Sequence, residues 1–285
     1  MATLSLVITA HNCERFVERA IESAFNQAKP FKEVIAIDDA SGDKTFEILR
    51  RLKKEFPTLG VFRNETNRER CFSRNRGAEL SSGEFVCFLD CDDFLGKTYA
   101  EGVLNILETS KVDAVFQNPK GFISPKGQIK LKKKRKESFE ELLFGGEVGY
   151  PSGSCFRRES FLNLGGYLQK YLHREDWEIF LRFYLKGLRV AYNPAGDYFI
   201  GVHGGRSSAG NPKFLEATLE VVEDYLPLIP KEYRGYTLHH AAVQCFRFKN
   251  RRCGFRYLKK LLEENPKVLL NGRRFWELFK RIWKI

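Results

Sequence analysis

Two clusters of aspartates follow apolar runs in the first third of the chain. Residues 38–43 carry three aspartates after Ile37, and residues 90–93 carry three more after Leu89. Carboxylates at the end of a buried strand are unfavourable unless a partner neutralises them, and a divalent cation with a bound diphosphate is one such partner. Because Mg²⁺ and Mn²⁺ prefer oxygen ligands, the Asp90-Cys91-Asp92 pattern suits metal binding. Aspartates that only cap the following helices are the alternative.

Three further groups have the chemistry of an active site. Glu175 and Asp176 begin an expected helix, where the helix dipole favours the Asp176 anion and the neighbouring Glu175 disfavours it, a balance that can hold a base near neutral pH. His203 follows a strand-like run and precedes two glycines, and a neutral imidazole can bind a metal. Arg74 and Arg76 can stabilise a bound anion. A helix start, a structural histidine and surface arginines are the corresponding alternatives.

The elements that would hold these groups alternate between strands and helices. Apolar runs predict strands at 4–9, 34–37, 61–62, 85–89, 112–116 and 198–202. Apolar residues at three- and four-residue spacing predict helices over 16–25 with Asn12 as N-cap, from 46 to 52, around 104–107 and from 175. This alternation predicts an α/β fold, a doubly wound, mostly parallel sheet flanked by helices, whose ligand loops follow the carboxyl ends of the strands.

The pattern changes in two places. Between Gly121 and Lys136 a Gly/Pro turn and a basic run predict a solvated hairpin or a flexible loop. After Pro212 the chain is expected to be helical, with breaks at Pro227, Pro230, Gly254 and Pro266.

Composition excludes several classes of protein. The 285 residues carry a formal charge of +12, and 43% of them are hydrophobic, which excludes wholesale disorder. No apolar run reaches the length of a membrane-spanning helix, and the first apolar run lacks the features of a signal peptide. Seven cysteines without CxxC spacing favour a reducing, cytoplasmic compartment. Neither a P-loop nor a G-x-G-x-x-G motif is present.

Several of these motifs occur in a fixed order, and in that order the chain resembles the family 2 glycosyltransferases over residues 4–208. The segments that carry the resemblance are Ser5–Asn12, Ile37–Thr45, Arg74–Gly77, Phe88–Asp93, Gly165–Tyr167, Glu175–Trp177 and His203–Gly205. The resemblance implies the GT-A fold and a nucleotide-sugar donor, with a UDP-sugar as the expected donor.

The resemblance also implies which residues bind the donor. Thr9 and Asp39 match the positions that line the base pocket, where Asp39 accepts a hydrogen bond from a pyrimidine ring N–H. Asp90 matches the position that reaches the ribose. Asp93 adjoins it and either shares such a role or caps a helix, and Arg74 supplements the charge on the diphosphate.

Metal and catalytic roles are implied in the same way. Asp92 and His203 match the positions that contact a bound Mn²⁺ or Mg²⁺. Asp176 matches the base that deprotonates the acceptor hydroxyl. Direct attack by that hydroxyl, without a protein nucleophile, inverts the anomeric centre.

One residue departs from the family pattern. Family members commonly carry a glycine two residues after the position of Asn67, where this chain has Glu69. A bulkier, charged residue is expected to alter the loop over the donor, so the donor sugar does not follow from the resemblance.

The basic C-terminal region has two interpretations. From Lys213 onward there are 16 Lys and Arg against 8 Asp and Glu. Residues 273–285 combine aromatic and basic side chains at helical spacing, which suits either peripheral contact with an anionic membrane and a saccharide or lipid-linked acceptor, or packing of the aromatics on protein. A nucleic-acid-binding module is the alternative function, although no RNA- or DNA-binding motif is present.

Together these observations predict a metal-dependent, inverting glycosyltransferase for cell-surface polysaccharide or glycolipid synthesis. Residues 1–210 are predicted to form its GT-A catalytic domain and residues 211–285 a helical basic region. The expected location is the cytoplasm, including the inner face of the membrane.

Overall fold

A computed structural model describes residues 2–124, 126–132, 137–203 and 211–283. Its strands are β1 (Leu4–Ala10), β2 (Glu33–Asp38), β3 (Leu59–Arg63), β4 (Phe85–Asp90), β5 (Phe94–Leu95), β6 (Ala114–Ile123), β7 (Ile129–Leu131), β8 (Ser154–Arg157) and β9 (Val190–Gly201). Its helices are α1 (Val17–Phe25), α2 (Thr45–Glu55), α3 (Glu69–Leu80), α4 (Tyr99–Thr109), α5 (Phe139–Phe144), α6 (Arg158–Asn163), α7 (Glu175–Leu185), α8 (Pro212–Tyr225), α9 (Lys231–Arg247), α10 (Arg251–Glu264) and α11 (Gly272–Trp283).

These elements form two compact units built from separate stretches of the chain. The first unit combines Met1–Arg135, Tyr150–Gln169 and Leu188–Gly204, and the second combines Lys136–Gly149, Lys170–Gly187 and Gly205–Ile285. The division at residue 210 into a catalytic domain and a helical region stays a prediction, because compactness alone does not assign function.

The first unit contains one mixed sheet in the order β3-β2-β1-β4-β8-β6-β9-β5, with β7 paired to β6. The ladders between β1, β2, β3 and β4 are parallel, as is the ladder of β6 with β9, whereas β8 runs antiparallel to both of its neighbours. Helices cover both faces, since α1, α2 and α4 join the core on one side and α3 packs against β1 and β2 on the other. The predicted doubly wound α/β architecture is confirmed.

Strand register explains why the acidic clusters approach each other. Thr9 near the end of β1 lies opposite Ile37 in β2 and opposite Asp90 in β4. Neighbouring strands are about 4.8 Å apart, so the ends of β2 and β4 are separated by about 10 Å. The carboxylates that follow these two strands therefore share one edge of the sheet.

The predicted N-cap role of Asn12 is wrong. Helix α1 begins at Val17, and Asn12 lies in the left-handed region with φ of +48°. Its side-chain oxygen instead accepts a hydrogen bond from Gly42 N, and its backbone N–H donates to Ser41 Oγ. Asn12 thus joins the loop after β1 to the loop after β2.

Helix α3 was not predicted because it lacks an apolar stripe. It buries small and polar residues, among them Ser73, Arg74 and Gly77. A Cβ added to Gly77 would lie 2.2 Å from Val7 Cγ1, so the missing side chain lets this helix approach β1 closely.

Polar residues also lengthen a strand beyond its apolar part. The predicted strand at 112–116 is the start of β6, which continues to Ile123 and pairs with β7 in the expected hairpin. The basic residues 133–136 of that segment lie outside the described residues, as do Gly204 and Gly205.

The second unit is helical in its described part, and α9 packs against α5, α8, α10 and α11. The predicted break at Gly254 is wrong, because Gly254 lies inside α10 and the break falls at 248–250. A Cβ on Gly254 would lie 2.7 Å from the Phe246 ring, so this glycine permits close helix packing rather than ending a helix.

Candidate active site

Three carboxylates meet where β4 ends. Asp90, Asp92 and Asp93 each offer an oxygen, and these oxygens all lie within 4.8 Å of one another. Asp90 and Asp92 are half-buried, whereas Asp93 is only 4% exposed. This concentration of negative charge needs neighbouring cations or protons to be stable.

Asp93 holds the cluster to the sheet. Its Oδ1 accepts a hydrogen bond from Gly201 N at 2.8 Å, and its Oδ2 accepts one from Ser152 Oγ at 2.5 Å. Burial, followed by the charges of Asp92 and Asp90, raises the pKa of the Asp93 carboxyl well above its ordinary value. Its contacts are therefore internal to the protein, and its predicted role in donor binding stays a prediction.

Asp92 meets His203 beside the paired strands β5 and β9. His203 Nε2 lies 2.7 Å from Asp92 Oδ2, and its ring stacks on Phe16 at 5.1 Å between centroids. Arg19 of α1 donates to the Asp92 backbone oxygen at 2.8 Å. Burial lowers the pKa of Arg19, and the charges of Asp93 and Asp92 oppose that shift. The two predicted metal ligands, distant in sequence, are thus neighbours in the fold.

Arg74 pairs with the first carboxylate of the cluster. Its Nη2 lies 2.6 Å from Asp90 Oδ1, its side chain is 3% exposed, and its guanidinium lies over the Tyr167 ring at 5.2 Å. A charge-assisted hydrogen bond of this kind holds both groups in one geometry. Arg74 therefore belongs to the same cluster as Asp90, Asp92 and Asp93.

Asp39 lies at the other end of the same sheet edge. Its Oδ1 accepts hydrogen bonds from Asn64 Nδ2 at 2.6 Å and from Arg68 N at 2.9 Å. Arg76 donates to Asn64 Oδ1 at 2.5 Å and so helps to fix the amide that bonds to Asp39. Thr9, half-buried near the end of β1, lies in register between β2 and Asp90.

Glu69 has a left-handed backbone conformation, which explains why glycine is common at this position in the resembled family. It has φ of +68° at the start of α3, a region that costs a residue with a Cβ about 1–2 kcal/mol. Its N–H donates to Asn67 Oδ1 at 3.0 Å. The backbone of the loop thus takes the left-handed turn even though glycine is absent.

The side-chain atoms of this cluster are suitable ligands for a hard divalent cation. Carboxylate oxygens from Asp90, Asp92 and Asp93 with an imidazole nitrogen from His203 are chemically suited to Mn²⁺ or Mg²⁺. Burial, ahead of the charges of Asp92 and Asp90, raises the pKa of Asp93, so this carboxyl favours its neutral form unless a cation lies nearby.

Asp176 lies in the second unit, in the first turn of α7. Its Oδ1 accepts a hydrogen bond from Trp177 N at 2.8 Å. Gly149, with φ of +154°, lies against the carboxylate, and a Cβ there would be 2.9 Å from Asp176 Oδ2. Glycine therefore leaves room around the half-buried carboxylate at this point.

Arg174 reinforces the start of α7. It is 6% exposed, donates to Gly146 O at 2.9 Å and lies over the Trp177 ring at 4.5 Å. Burial lowers the pKa of Arg174 to about 10, while the charges of Asp176 and Glu175 oppose that shift. A guanidinium that remains charged near neutral pH thus accompanies the predicted base.

The first unit brings together most of the predicted site residues. Arg74, Asp90, Asp92, Asp93 and His203 form one cluster, with Thr9 and Asp39 along the same sheet edge. Asp176 belongs to the other unit, and its role stays a prediction.

Sequence reasoning missed Asn64, Ser152 and Gly201. Asn64 is 3% exposed and donates a hydrogen bond to Asp39. The available sequence signal was its position directly after β3, where a polar residue can reach the edge of the sheet. Ser152 precedes β8, and Gly201 contacts Asp92 only through the pairing of distant elements. No local pattern marks these last two residues.

Comparison with known proteins identifies the family. The model of glycosyl transferase family 2 matches residues 5–165. The chain belongs to this family. It is also 25% identical over 264 residues to the UDP-Glc:alpha-D-GlcNAc-diphosphoundecaprenol beta-1,3-glucosyltransferase WfaP of Escherichia coli, covering 88% of this chain and 99% of that protein. The chain is therefore a glycosyltransferase.

Solved structures agree on the fold. S. aureus TarS 1-349 in complex with UDP-GlcNAc has a TM-score of 0.68 at 17% identity, over 98% of this chain and 89% of that one. The mannosyltransferase PcManGT from Pyrobaculum calidifontis, in complex with GDP-Man and Mn²⁺, has a TM-score of 0.64 at 16% identity, over 99% and 88% of the two chains. The expected GT-A fold with C-terminal helices is confirmed.

Proposed function

We propose that this family 2 glycosyltransferase is metal-dependent and inverting, and that it transfers a sugar from a UDP-sugar to a hydroxyl of a lipid-linked saccharide. The observation that carries the proposal is the cluster of Asp90, Asp92 and Asp93 with His203 on Asp92, at the sheet edge that also holds Asp39. The relative WfaP, named for a UDP-glucose donor and a diphosphoundecaprenol acceptor, supports this donor and acceptor class.

The donor would lie along the sheet edge from Asp39 to Asp92. Asn64 and Arg68 N orient the Asp39 carboxylate through Oδ1, and none of the described residues bonds to its Oδ2. That oxygen can accept the ring N–H of a pyrimidine. The separation of about 10 Å between the ends of β2 and β4 suits a nucleoside with its diphosphate directed towards Asp92.

Asp92 and His203 would hold the metal, with Asp90 and Asp93 beside them. When bound, Mn²⁺ or Mg²⁺ would supply Lewis-acid stabilisation of the negative charge on the departing diphosphate. Arg74 keeps Asp90 in place and adds a positive charge to the same region.

The acceptor hydroxyl would be deprotonated by Asp176. The oxygen of the acceptor hydroxyl attacks the anomeric carbon, and its proton passes to the Asp176 carboxylate. The bond from the anomeric carbon to the diphosphate oxygen breaks, and the nucleoside diphosphate leaves. Because the attack and departure occur on opposite sides, the configuration inverts. A positioned base contributes about 10² to 10⁴ in rate.

The proposal includes a cell-surface polysaccharide or glycolipid as product. A lipid-linked acceptor also requires that the enzyme reach a membrane surface from the cytoplasm, where nucleotide sugars are available. Of the helices in the described residues, none combines the length and apolarity needed to cross a bilayer. We therefore include peripheral contact in the proposal.

The test is a thermal-shift panel of nucleotide sugars with and without Mn²⁺ or Mg²⁺. A UDP-sugar at 100 times its dissociation constant should stabilise the protein by about 2.7 kcal/mol. Asp92→Ala should remove the metal-dependent part of that shift, because it removes a ligand of the cluster. Glu47→Ala, an exposed acid on α2, is the matched control and should behave as the wild type.

Two results would contradict the proposal. If neither metal changes nucleotide-sugar binding or turnover by the wild-type protein, the metal assignment is wrong. If only DNA or RNA oligomers stabilise the protein, the nucleic-acid alternative replaces it.

A further inference from the structure

Helix α11 is attached to the second unit by one side only. Arg274 and Leu278 are each 4% exposed, and His239 Nε2 donates to the Arg274 carbonyl oxygen at 3.0 Å. The Arg274 guanidinium lies over the Tyr236 ring at 4.5 Å. These contacts attach α11 to α9 and determine which residues point away from it.

The opposite side carries four large aromatic rings, which we call the aromatic face. Its members and their exposed fractions are Phe275 at 45%, Trp276 at 56%, Phe279 at 40% and Trp283 at 72%. Adjacent rings contact one another, with centroids 5.4 Å apart for Trp276 and Phe279 and 5.8 Å apart for Phe279 and Trp283. A contiguous exposed apolar patch of this kind marks an interaction surface.

Basic side chains share a groove with Trp276, at one margin of the aromatic face. Lys280 and Arg281 form no ion pair with any described residue, whereas Arg273 pairs with Glu137 and with Glu147. A groove of about 760 Å³ on this helix is lined by Arg273, Trp276, Glu277, Lys280 and Arg281. The groove therefore offers two unpaired cations beside an indole, with Glu277 as the acid opposing them.

We propose that the aromatic face of α11 docks on a bilayer containing anionic phospholipids. The rings enter the boundary between headgroups and acyl chains, where indole groups are favoured, and Lys280 and Arg281 meet the lipid phosphates. Charge complementarity selects an anionic bilayer over a neutral one. The proposal rests on the peripheral membrane contact included in the proposed function, and it adds the surface that makes this contact and the lipid charge that it requires.

Three tryptophans make the test direct. Trp177 is fully buried, whereas Trp276 and Trp283 both belong to the aromatic face. Vesicles of phosphatidylcholine with phosphatidylglycerol should shift the emission of the full chain to shorter wavelength and should pellet it. Vesicles of phosphatidylcholine alone should do so at least about 30-fold more weakly, because the attraction of the basic residues to anionic lipid is lost.

Paired variants separate the two contributions. Trp276→Ser with Trp283→Ser should abolish the emission shift and lower vesicle binding by about tenfold or more. Lys280→Gln with Arg281→Gln should weaken binding to anionic vesicles by about 30-fold, since each basic residue near the surface contributes about fivefold.

Matched controls come from exposed positions elsewhere in the same unit. Leu228→Ser with Leu262→Ser removes side chains that are 63% and 50% exposed, and Lys259→Gln with Lys267→Gln removes two exposed charges. Both pairs should bind vesicles as the wild type does. Thermal melting confirms that every variant is folded.

Either of two results would overturn the proposal. The first is wild-type partitioning by both the tryptophan and the charge variants. The second is a concentration-dependent dimer, lost in the tryptophan variant, in a chain that does not bind vesicles, because the face would then belong to a second copy. Transfer to a soluble acceptor, measured in parallel, tests the glycosyltransferase reaction separately from docking.

Discussion

Gly201 offers a test of how closely the cluster of Asp90, Asp92 and Asp93 is packed. It ends β9, and its N–H donates to Asp93 Oδ1 at 2.8 Å. A Cβ added to Gly201 would lie 2.2 Å from the backbone oxygen of Asp92. Gly201→Ala therefore places a methyl group against the residue proposed to bind the metal.

The size of the effect follows from that distance. An ordinary contact between carbon and a carbonyl oxygen is about 3.3 Å, so the loop carrying Asp92 or the end of β9 must move by about 1 Å. A misplacement of about 1 Å can cost about 10² in rate, or about 2.7 kcal/mol of transition-state stabilisation. Overpacking is expected to lower stability by about 1–3 kcal/mol as well.

The assay is steady-state release of the nucleoside diphosphate across a titration of Mn²⁺, at a temperature well below the melting point of the variant. We expect kcat to fall by about 100-fold and the Mn²⁺ dependence to move to higher concentration. Gly102→Ala is the matched control, because a Cβ at Gly102 in α4 meets nothing within 4 Å. That change should leave turnover unaltered and add up to about 1 kcal/mol of stability.

One result refutes this reasoning. If folded Gly201→Ala keeps both the kcat and the Mn²⁺ dependence of the wild type, then close packing of β9 on Asp92 does not position the proposed metal ligands. A loss of stability with unchanged kinetics would lead to the same conclusion.

Two further predictions concern the second unit. Asp176→Asn should lower turnover by about 10² to 10⁴ while nucleotide-sugar binding by calorimetry stays unchanged, and retained turnover would remove Asp176 from the role of base. Burial lowers the pKa of His239 from 6.5 to about 4. Between these two values His239 is protonated in the unfolded chain and neutral in the folded chain, so stability falls as the pH falls. The free energy of unfolding from urea titrations should therefore lose about 3 kcal/mol from this group between pH 7 and pH 4, and His239→Gln should lack that part of the loss.

The sequence predicted the first half of the sheet well, for a physical reason. Strands β1, β2 and β4 are buried on both faces, so they are near-continuous apolar runs, and the carboxylates that follow them mark their ends. Since parallel strands place their carboxyl ends along one edge, the approach of Asp39 and Asp90 followed from pattern alone.

Elements without an apolar stripe were harder to predict. Helix α3 packs through Gly77 and carries the buried Arg74, which pairs with the half-buried Asp90, so neither contact leaves a periodic signal. Gly254 was expected to end a helix because glycine is a weak helix former, yet in the folded chain it permits α10 to approach Phe246.

Residue type and order along the chain determined the fold class and the shared edge of the acidic clusters, because local burial and strand direction constrain them. The predicted donor-binding residues and metal ligands came from the resemblance to the family and stay predictions. The tertiary structure alone decided that His203 meets Asp92, that Asn64 orients Asp39 and that the aromatic face of α11 is exposed. Each of these depends on which distant elements pair or pack, and pairing between distant elements leaves no periodic mark in the sequence.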